Sequence, residues 1–478
     1  MERTKSENSI VLDVLDNIAN EWTVEAKRED NKYHYSFDIL DKIKTGKLSF
    51  VIGRKGMGKT AISERIYNTS QGDEFSVRIS FQSFPFNDIY SLSDEKYPSP
   101  RQYISIWKYV IYNYVCEMMS TNEMLSPDVV VNLRKIYKDS IDSNEALGDL
   151  IPKWTATGFG GEILGNGLNI SGETKVTEMD WLSKKNIFEK VIKQYAGNYK
   201  YYVLFDELDE DYHKFSSEEE KDKYLQLLTS LFKAVQDIRS IFDSTPTKVF
   251  PVIFLRNDIY SQIMDSDKNK WREFSDDLQW SKYELLEMMS YRMFIASDKQ
   301  IHRNEVINTI MENNNRGNNS SEMNPCFDYI TRCAQFRPRD YISYIKKCAE
   351  NAIKKGECKI TLQTVKETEA DYSDYLYQEI VDETHVEIPN INTILNIFSK
   401  IRKKTFDSEE FISKYTDLIE DDEEAAKLIL EKLFNFGVIG NMPIGESHPI
   451  FKYINKRLEL NFDEPIIIHR GLYKSLQV

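Results

Sequence analysis

Proline and glycine are scarce in this chain of 478 residues, at 13 and 19. That scarcity excludes a linker-rich or collagen-like polypeptide and implies mostly regular structure. Cysteine is sparse too: Cys116, Cys326, Cys333, Cys348 and Cys358, with no CxxC spacing. An odd count without a framework excludes a disulfide scaffold and fits reduced thiols in a cytosolic protein. The six histidines are scattered, so no zinc site is expected. Clean apolar runs reach only about seven residues, far below the ~20 that a spanning helix needs. The start, MERTKSENS, has no apolar h-region, so no signal peptide is expected. A soluble cytoplasmic protein with no membrane partner is the expectation. Positive charge is also short, with 62 basic against 77 acidic residues and a net charge of -15. Such a balance argues against coating by nucleic acid along the whole length and leaves a local basic patch open.

What is present suffices for a sizeable core: 41% apolar and 12% aromatic residues exclude wholesale disorder. Length suggests roughly three domains. Ile10, Val11, Val14, Leu15 and Ile18 share one helical face. Residues 48–67 read as strand, Gly-rich loop and helix, and Phe75 to Phe81 alternates as a second strand. Tyr103 to Met119 is apolar nearly all round, the mark of a helix buried on more than one side. Residues 157–172 hold six glycines and read as a hairpin or a mobile loop. Tyr201–Phe205 and Val249–Leu255 have the β-branched and aromatic content of parallel strands. Leu278 to Trp280 is a candidate short fifth strand.

The expected division is an N-terminal helical segment (1–45), an α/β core (46–281) with an insertion at about 83–190, a helical lid (282–358), a connecting helix (359–390) and a winged-helix-like domain (391–478). In the last, three helical patterns precede a turn at Gly437 and Gly440 and two strand-like runs.

Gly53-Arg54-Lys55-Gly56-Met57-Gly58-Lys59-Thr60 matches GxxxxGK[ST] in full, with a strand before it and a helix continuing through Ala61. Glycines let successive backbone N–H groups turn toward phosphate oxygens, and the helix N-terminus adds positive potential. Gly53 to Ala61 is therefore the candidate ATP cradle. Lys59 is expected on the β/γ-phosphates and the Thr60 hydroxyl on Mg²⁺. The partner segment, Tyr201 to Glu207, is a buried strand ending in two carboxylates. Asp206 is expected to hold Mg²⁺ through water, and Glu207 to polarise the attacking water. A base directly after the metal-binding aspartate points to ATPases rather than small kinases or GTPases. Asp209 and Glu210 read as surface charges.

The strand ending Phe254-Leu255-Arg256-Asn257-Asp258 puts a polar tip beside the γ-phosphate. Arg256 or Asn257 could sense it, Arg256 could face a neighbouring subunit, or Arg256 and Asp258 could form a surface pair. Phe336-Arg337-Pro338-Arg339-Asp340 opens a helix, Pro338 suiting its first turn. Arg339 is favoured over Arg337 as a lid arginine; ordinary pairing with nearby acids is the alternative. Lys59, Glu207, Arg256 and Arg339 are the catalytic candidates, with Thr60 and Asp206 as metal ligands.

GRKGMGKTAI, FPFND (84–88), YYVLFDELDE, FLRND, DLQW and RPRD together resemble a bacterial family of AAA-like P-loop ATPases. That family is related to the STAND and origin-recognition groups, and its genes are common on mobile elements and in anti-phage defence loci. The resemblance covers about 30–355. It implies a core sheet of order 5-1-4-3-2, a helical lid and a C-terminal effector or sensor region. In the usual form a small residue precedes Pro-Arg; here it is Arg337.

The winged-helix-like region invites DNA binding, but 391–440 contains seven basic and ten acidic residues. Its candidate recognition helix, about 423–436, begins Glu423-Glu424 and adds Glu431. Phosphate contact needs a positive face. Protein contact is favoured over DNA for this domain. The expected function is an ATP-hydrolysing switch that controls a homo-oligomer or an effector protein. An ATP-gated DNA loader is the alternative, and a small-molecule kinase is disfavoured.

Overall fold

The computed structural model describes residues 7–28, 31–35, 38–80, 99–137, 181–209, 212, 217–313, 323–419, 422–446 and 448–478. FPFND (84–88), the Gly-rich 157–172 segment and Glu210 lie outside the described residues. By its contacts the chain forms two units. A sheet unit holds Ser36–Arg54 and Lys59–Gln279; a helical unit holds Met1–Tyr35, Lys55–Gly58 and Trp280–Val478. The apolar spacing near the start forms α1 (Glu7–Glu21), with Val11, Val14, Leu15 and Ile18 buried. α1 belongs to the helical unit, where Asn17 Nδ2 donates to the Ala296 carbonyl at 2.8 Å.

Five parallel strands build the sheet unit: β1 (Phe50–Gly53), β2 (Glu74–Ser80), β3 (Lys200–Asp206), β4 (Lys248–Arg256) and β5 (Ser275–Asp277). Their spatial order is β2-β3-β4-β1-β5, which read from the other edge is 5-1-4-3-2. This is a P-loop NTPase sheet. Continuous apolar runs in β1, β3 and β4 are buried, as inner parallel strands require. Pro251 lies in β4 although β4 is an inner strand. The Ile253 N–H donates to Ser49 O, toward β1, and the β1 register starts at Phe50↔Ile253. Two residues earlier, the N–H that proline lacks would point to the same side, before that ladder begins.

α2 (Lys59–Thr69) leaves the loop after β1. α3 (Ser99–Thr121) and α4 (Glu218–Phe242) pack together in the same unit. The Trp107 indole of α3 donates to Leu227 O at 3.1 Å and meets Phe205 of β3 edge-on. Phe232 of α4 stacks on Phe50 with centroids 4.6 Å apart.

The fifth strand differs from expectation. The ladder is Ser275–Asp277, not Leu278 to Trp280. Leu278 and Trp280 are apolar because their side chains are buried, whereas the edge strand itself is polar. Asp276 of that strand pairs with Lys42 at 3.0 Å.

The helical unit continues with α5 (Lys282–Ala296), started by a Ser281/Glu284 capping box. α6 (Pro338–Lys355) has proline in its first turn and ends at Gly356 in the left-handed region. Residues 359–390 form two helices rather than one: Leu362–Glu367, then α7 (Glu369–Thr384), with Thr368 between them.

The helical unit ends with α8 (Ile391–Ile401), α9 (Ser408–Ile419) and α10 (Glu423–Asn435). They pack with a three-stranded antiparallel sheet of β6 (Thr405–Phe406), β7 (Ile439–Asn441) and β8 (Ile466–Ile468), in the order β6-β8-β7. That is a winged-helix arrangement. The two-residue β6 is too short to leave an alternating pattern in sequence. Among the described residues, no helix is long and apolar enough to cross a membrane.

Candidate functional site

Gly53 ends β1, and Lys59, Thr60 and Ala61 open α2, so the motif begins at a strand end and closes at a helix start. Gly58 has φ +98°, and a Cβ built there would meet nothing within 4 Å. The Lys59 ammonium donates to the Gly53 and Arg54 carbonyls at 3.0 and 3.1 Å. Burial lowers its pKa, with opposing fields from Asp209, Asp206 and Asp258 and a further lowering from Arg256. Arg54 is buried.

Asp206 ends β3. Its Oδ1 accepts from the Glu207 N–H at 2.9 Å and lies 3.5 Å from the Thr60 hydroxyl. Its Oδ2 is buried with no hydrogen-bond partner. The Arg78 guanidinium is 3.4 Å from that oxygen, an ion pair without hydrogen-bond geometry. Burial pushes the Asp206 carboxyl up to about 6; Arg78 opposes this, and the Glu207 charge adds to it. A buried carboxylate with one oxygen near a hydroxyl and the other free of hydrogen bonds is a donor set that suits a hard divalent cation such as Mg²⁺.

Glu207 has φ +60°, in the left-handed region that few non-glycine residues adopt. Strain of this kind is held by surrounding contacts. Here the Ser80 hydroxyl donates to the Glu207 carboxylate, and Arg78 Nη2 lies 3.6 Å from it. Arg78 also pairs with Glu64 of α2. Sequence reasoning missed Arg78, Ser80 and Glu64. In a lone alternating strand, Arg78 and Ser80 read as a solvent face. The β2/β3 register sets Ser80 opposite Asp206 and Arg78 opposite Leu204, which turns that face into the neighbour of the carboxylates.

Arg256 ends β4 and is buried. Its Nε and Nη2 grip Asp258 at 3.1 and 2.6 Å, and its Nη1 is 3.6 Å from Asp209. The Arg256–Asp258 pair is therefore real but interior, not a surface pair. Burial would raise the Asp258 pKa, yet Arg256 outweighs it and the carboxyl stays below its usual range. Asp209, read from sequence as a surface charge, is drawn into this group. Asn257 starts the short helix Asn257–Gln262.

In the helical unit, the two arginines of RPRD part company. Arg337 is fully buried; its Nε donates to both Asp340 oxygens at 3.1 Å, and its Nη1 to Glu383 at 3.1 Å. Arg339 is part-exposed, with Nη1 donating to Glu379 at 3.1 Å. The Arg339 N–H faces the Gly56 carbonyl at 3.4 Å. Gly56 has φ +80°, and a Cβ there would come 3.3 Å from Arg339 Cβ, so a side chain would crowd the approach. Lys55 of the same loop tip lies 3.6 Å from Glu379, and the Met57 carbonyl accepts from the Trp280 indole at 2.9 Å.

Residues 283–381 match the family described as FunZ-associated C-terminal helical domain. Over 95% of its length the chain is 21% identical to the transposon gamma-delta 80.3 kDa protein of Escherichia coli (strain K12), across 507 aligned residues. The match covers 65% of that relative, so the chain spans less than two thirds of its length. Among solved structures, the chain is similar to Cdc6p from Pyrobaculum aerophilum, with TM-score 0.34, 10% identity and coverage of 92% of this chain and 90% of that one. For the Aeropyrum pernix ORC2 protein in its ADP form, the TM-score is 0.31 and the identity 10%, covering 92% and 89%. The order of the five strands, not these distant likenesses, defines the fold.

Proposed function

We propose that this chain is a Mg²⁺-dependent ATPase that acts as a molecular switch. The observation that carries the reading is the convergence of Lys59, Thr60, Asp206 and Glu207 at one edge of the parallel sheet, with Thr60 3.5 Å from Asp206. Bound Mg²⁺ would neutralise charge on the phosphates, with the Thr60 hydroxyl and the Asp206 carboxylate as its protein-side anchors. The loop N–H groups from Gly53 to Ala61 would cradle the phosphate chain and Lys59 would balance its charge. Glu207, fixed by Ser80 and Arg78, orients a water and accepts its proton. Arg256, locked to Asp258, supplies fixed positive potential near Lys59. Arg339, beside the loop tip, is assigned to the terminal phosphate; Arg337, whose donors meet Asp340 and Glu383, is not.

The partner reading is protein rather than DNA. Glu423, Glu424, Leu428, Glu431 and Asn435 of α10 are open to solvent, and its part-exposed Lys427 is paired with Glu424 at 3.0 Å, so the face is acidic on balance. A helix with that face repels phosphate. ATP binding is assigned to promote self-assembly or the engagement of an effector protein, and hydrolysis to reset it. The transposon in the name of the E. coli relative supports a mobile-element setting, in which an anti-phage role is one use of such a switch.

Thin-layer analysis of γ-labelled ATP tests the reading. Label released as inorganic phosphate by the wild type, and not by Glu207→Gln, supports it. Label on another product would make the chain a kinase. No turnover and no nucleotide binding would refute the site.

A further inference from the structure

Glu379 of α7 serves two cations at once. Its Oε2 accepts from Arg339 Nη1 at 3.1 Å and lies 3.6 Å from Lys55 Nζ. Lys55 belongs to the loop tip, and Arg339 is the second residue of α6, with its backbone N–H toward Gly56 O. A cation in the first turn of a helix faces the positive end of the helix dipole, which is unfavourable without a nearby anion. Glu379 supplies that anion. Burial would raise its pKa, but Arg339 and Lys55 outweigh burial and hold the carboxyl below its usual range. It is therefore charged at neutral pH.

A phosphate group and a carboxylate make the same demand on these cations. Both accept forked hydrogen bonds from a guanidinium, and both draw an ammonium. A terminal phosphate carries more negative charge than one carboxylate. Arg339 cannot pair fully with both.

We propose that Glu379 is an intramolecular competitor for the γ-phosphate of a bound nucleoside triphosphate, holding Arg339 and Lys55 until that phosphate takes them. The proposal rests on the nucleotide reading above. It makes Glu379 a specificity-determining residue: a nucleoside diphosphate lacks the group that can displace it. It also gives the exchange a mechanical output. α7 carries Glu383 on Arg337 and, on another turn, Ser373, whose hydroxyl accepts from the Ser475 N–H at 3.0 Å. Release at Glu379 thus loosens the helix that holds the C-terminal segment.

The test is the affinity of the full-length chain for fluorescent ADP and for a non-hydrolysable fluorescent ATP analogue. Glu379→Gln should tighten the ATP analogue roughly tenfold, the worth of one charge-assisted hydrogen bond, and leave ADP unchanged. In an Arg339→Ala background the same substitution should have a smaller effect on the ATP analogue, carried by Lys55 alone, and none on ADP. A purely structural Glu379 would lower thermal stability and move both affinities together or neither, and that result overturns the proposal. If Glu379→Gln does not fold, Glu379→Asp, with a shorter reach to the same cations, reads out the same ratio. A wild type that binds neither nucleotide overturns the nucleotide site as well; a wild type that binds both, with an unchanged ratio in the variant, overturns only the competition.

Discussion

The Thr60 hydroxyl lies 3.5 Å from Oδ1 of Asp206 across 146 positions of sequence. With Lys59 one residue before Thr60 and Glu207 one after Asp206, four separable roles meet there. Lys59→Ala should abolish ATP binding in a nucleotide titration, because the phosphates lose their cation. Glu207→Gln should bind normally and turn over roughly 10²–10⁴-fold more slowly, the usual worth of a positioned base. Equal turnover by Glu207→Gln and wild type would remove Glu207 from catalysis.

Asp206 links the site to pH. Burial lifts its carboxyl to about 6 in the folded chain, against ~3.9 when unfolded. A carboxyl raised on folding favours the native state fully below about pH 4, and that contribution is lost as pH rises through about 6. Asp206→Asn should therefore unfold at a higher temperature than wild type near pH 7.5, by up to about 2–3 kcal/mol in stability. The difference should vanish near pH 4. A lower melting temperature at pH 7.5 would mean that the ion pair with Arg78 outweighs burial.

Arg78 stands between Glu64, Asp206 and Glu207. Replacing it with Met removes the cation that opposes burial at Asp206, so that carboxyl should take up a proton more readily. The acidic limb of the pH–rate profile should move to higher pH. An unmoved limb would make Arg78 a packing residue only.

Arg337 and Arg339 should behave in opposite ways. Arg337→Met strands Asp340 and Glu383 in the interior and should destabilise the chain by about 3–5 kcal/mol in chemical denaturation. Arg339→Ala should leave stability nearly intact and lower the ATP-to-ADP affinity ratio about tenfold. The reverse pattern would exchange their assignments.

Duplex DNA should bind weakly at about 0.15 M salt, with affinity falling steeply as salt is added. Fluorescence anisotropy reads this directly. Mass measurement of Glu207→Gln with and without ATP should show an ATP-dependent rise. A strict monomer that also binds duplex tightly would favour the DNA-loader reading.

Much of this architecture is local information. GxxxxGK[ST] is contiguous, and a buried strand ending in Asp206-Glu207 is recognisable from its own apolar run. The amphipathic spacing of α1 and the Pro338 start of α6 are likewise short-range. So is the acidic solvent face of α10, because helical periodicity alone assigns its sides. β5 failed that test, since an edge strand of Ser275, Asp276 and Asp277 has no apolar face to betray it.

What sequence by itself determined is the set of groups able to do phosphate chemistry and the order of elements that carry them. Only tertiary structure decided which polar residues join them. Arg78 and Ser80 reach Glu207 through the register of β2 on β3, and strand register depends on a partner more than a hundred residues away. Glu379 reaches Lys55 and Arg339 through packing between α7 and the start of α6. Arg337 and Arg339, two positions apart, meet different environments because Arg337 is the extended residue that precedes α6 and Arg339 lies in its first helical turn. Local patterns encode the identity and periodicity of side chains; pairing between distant charges is set by the fold that brings them within a few ångströms.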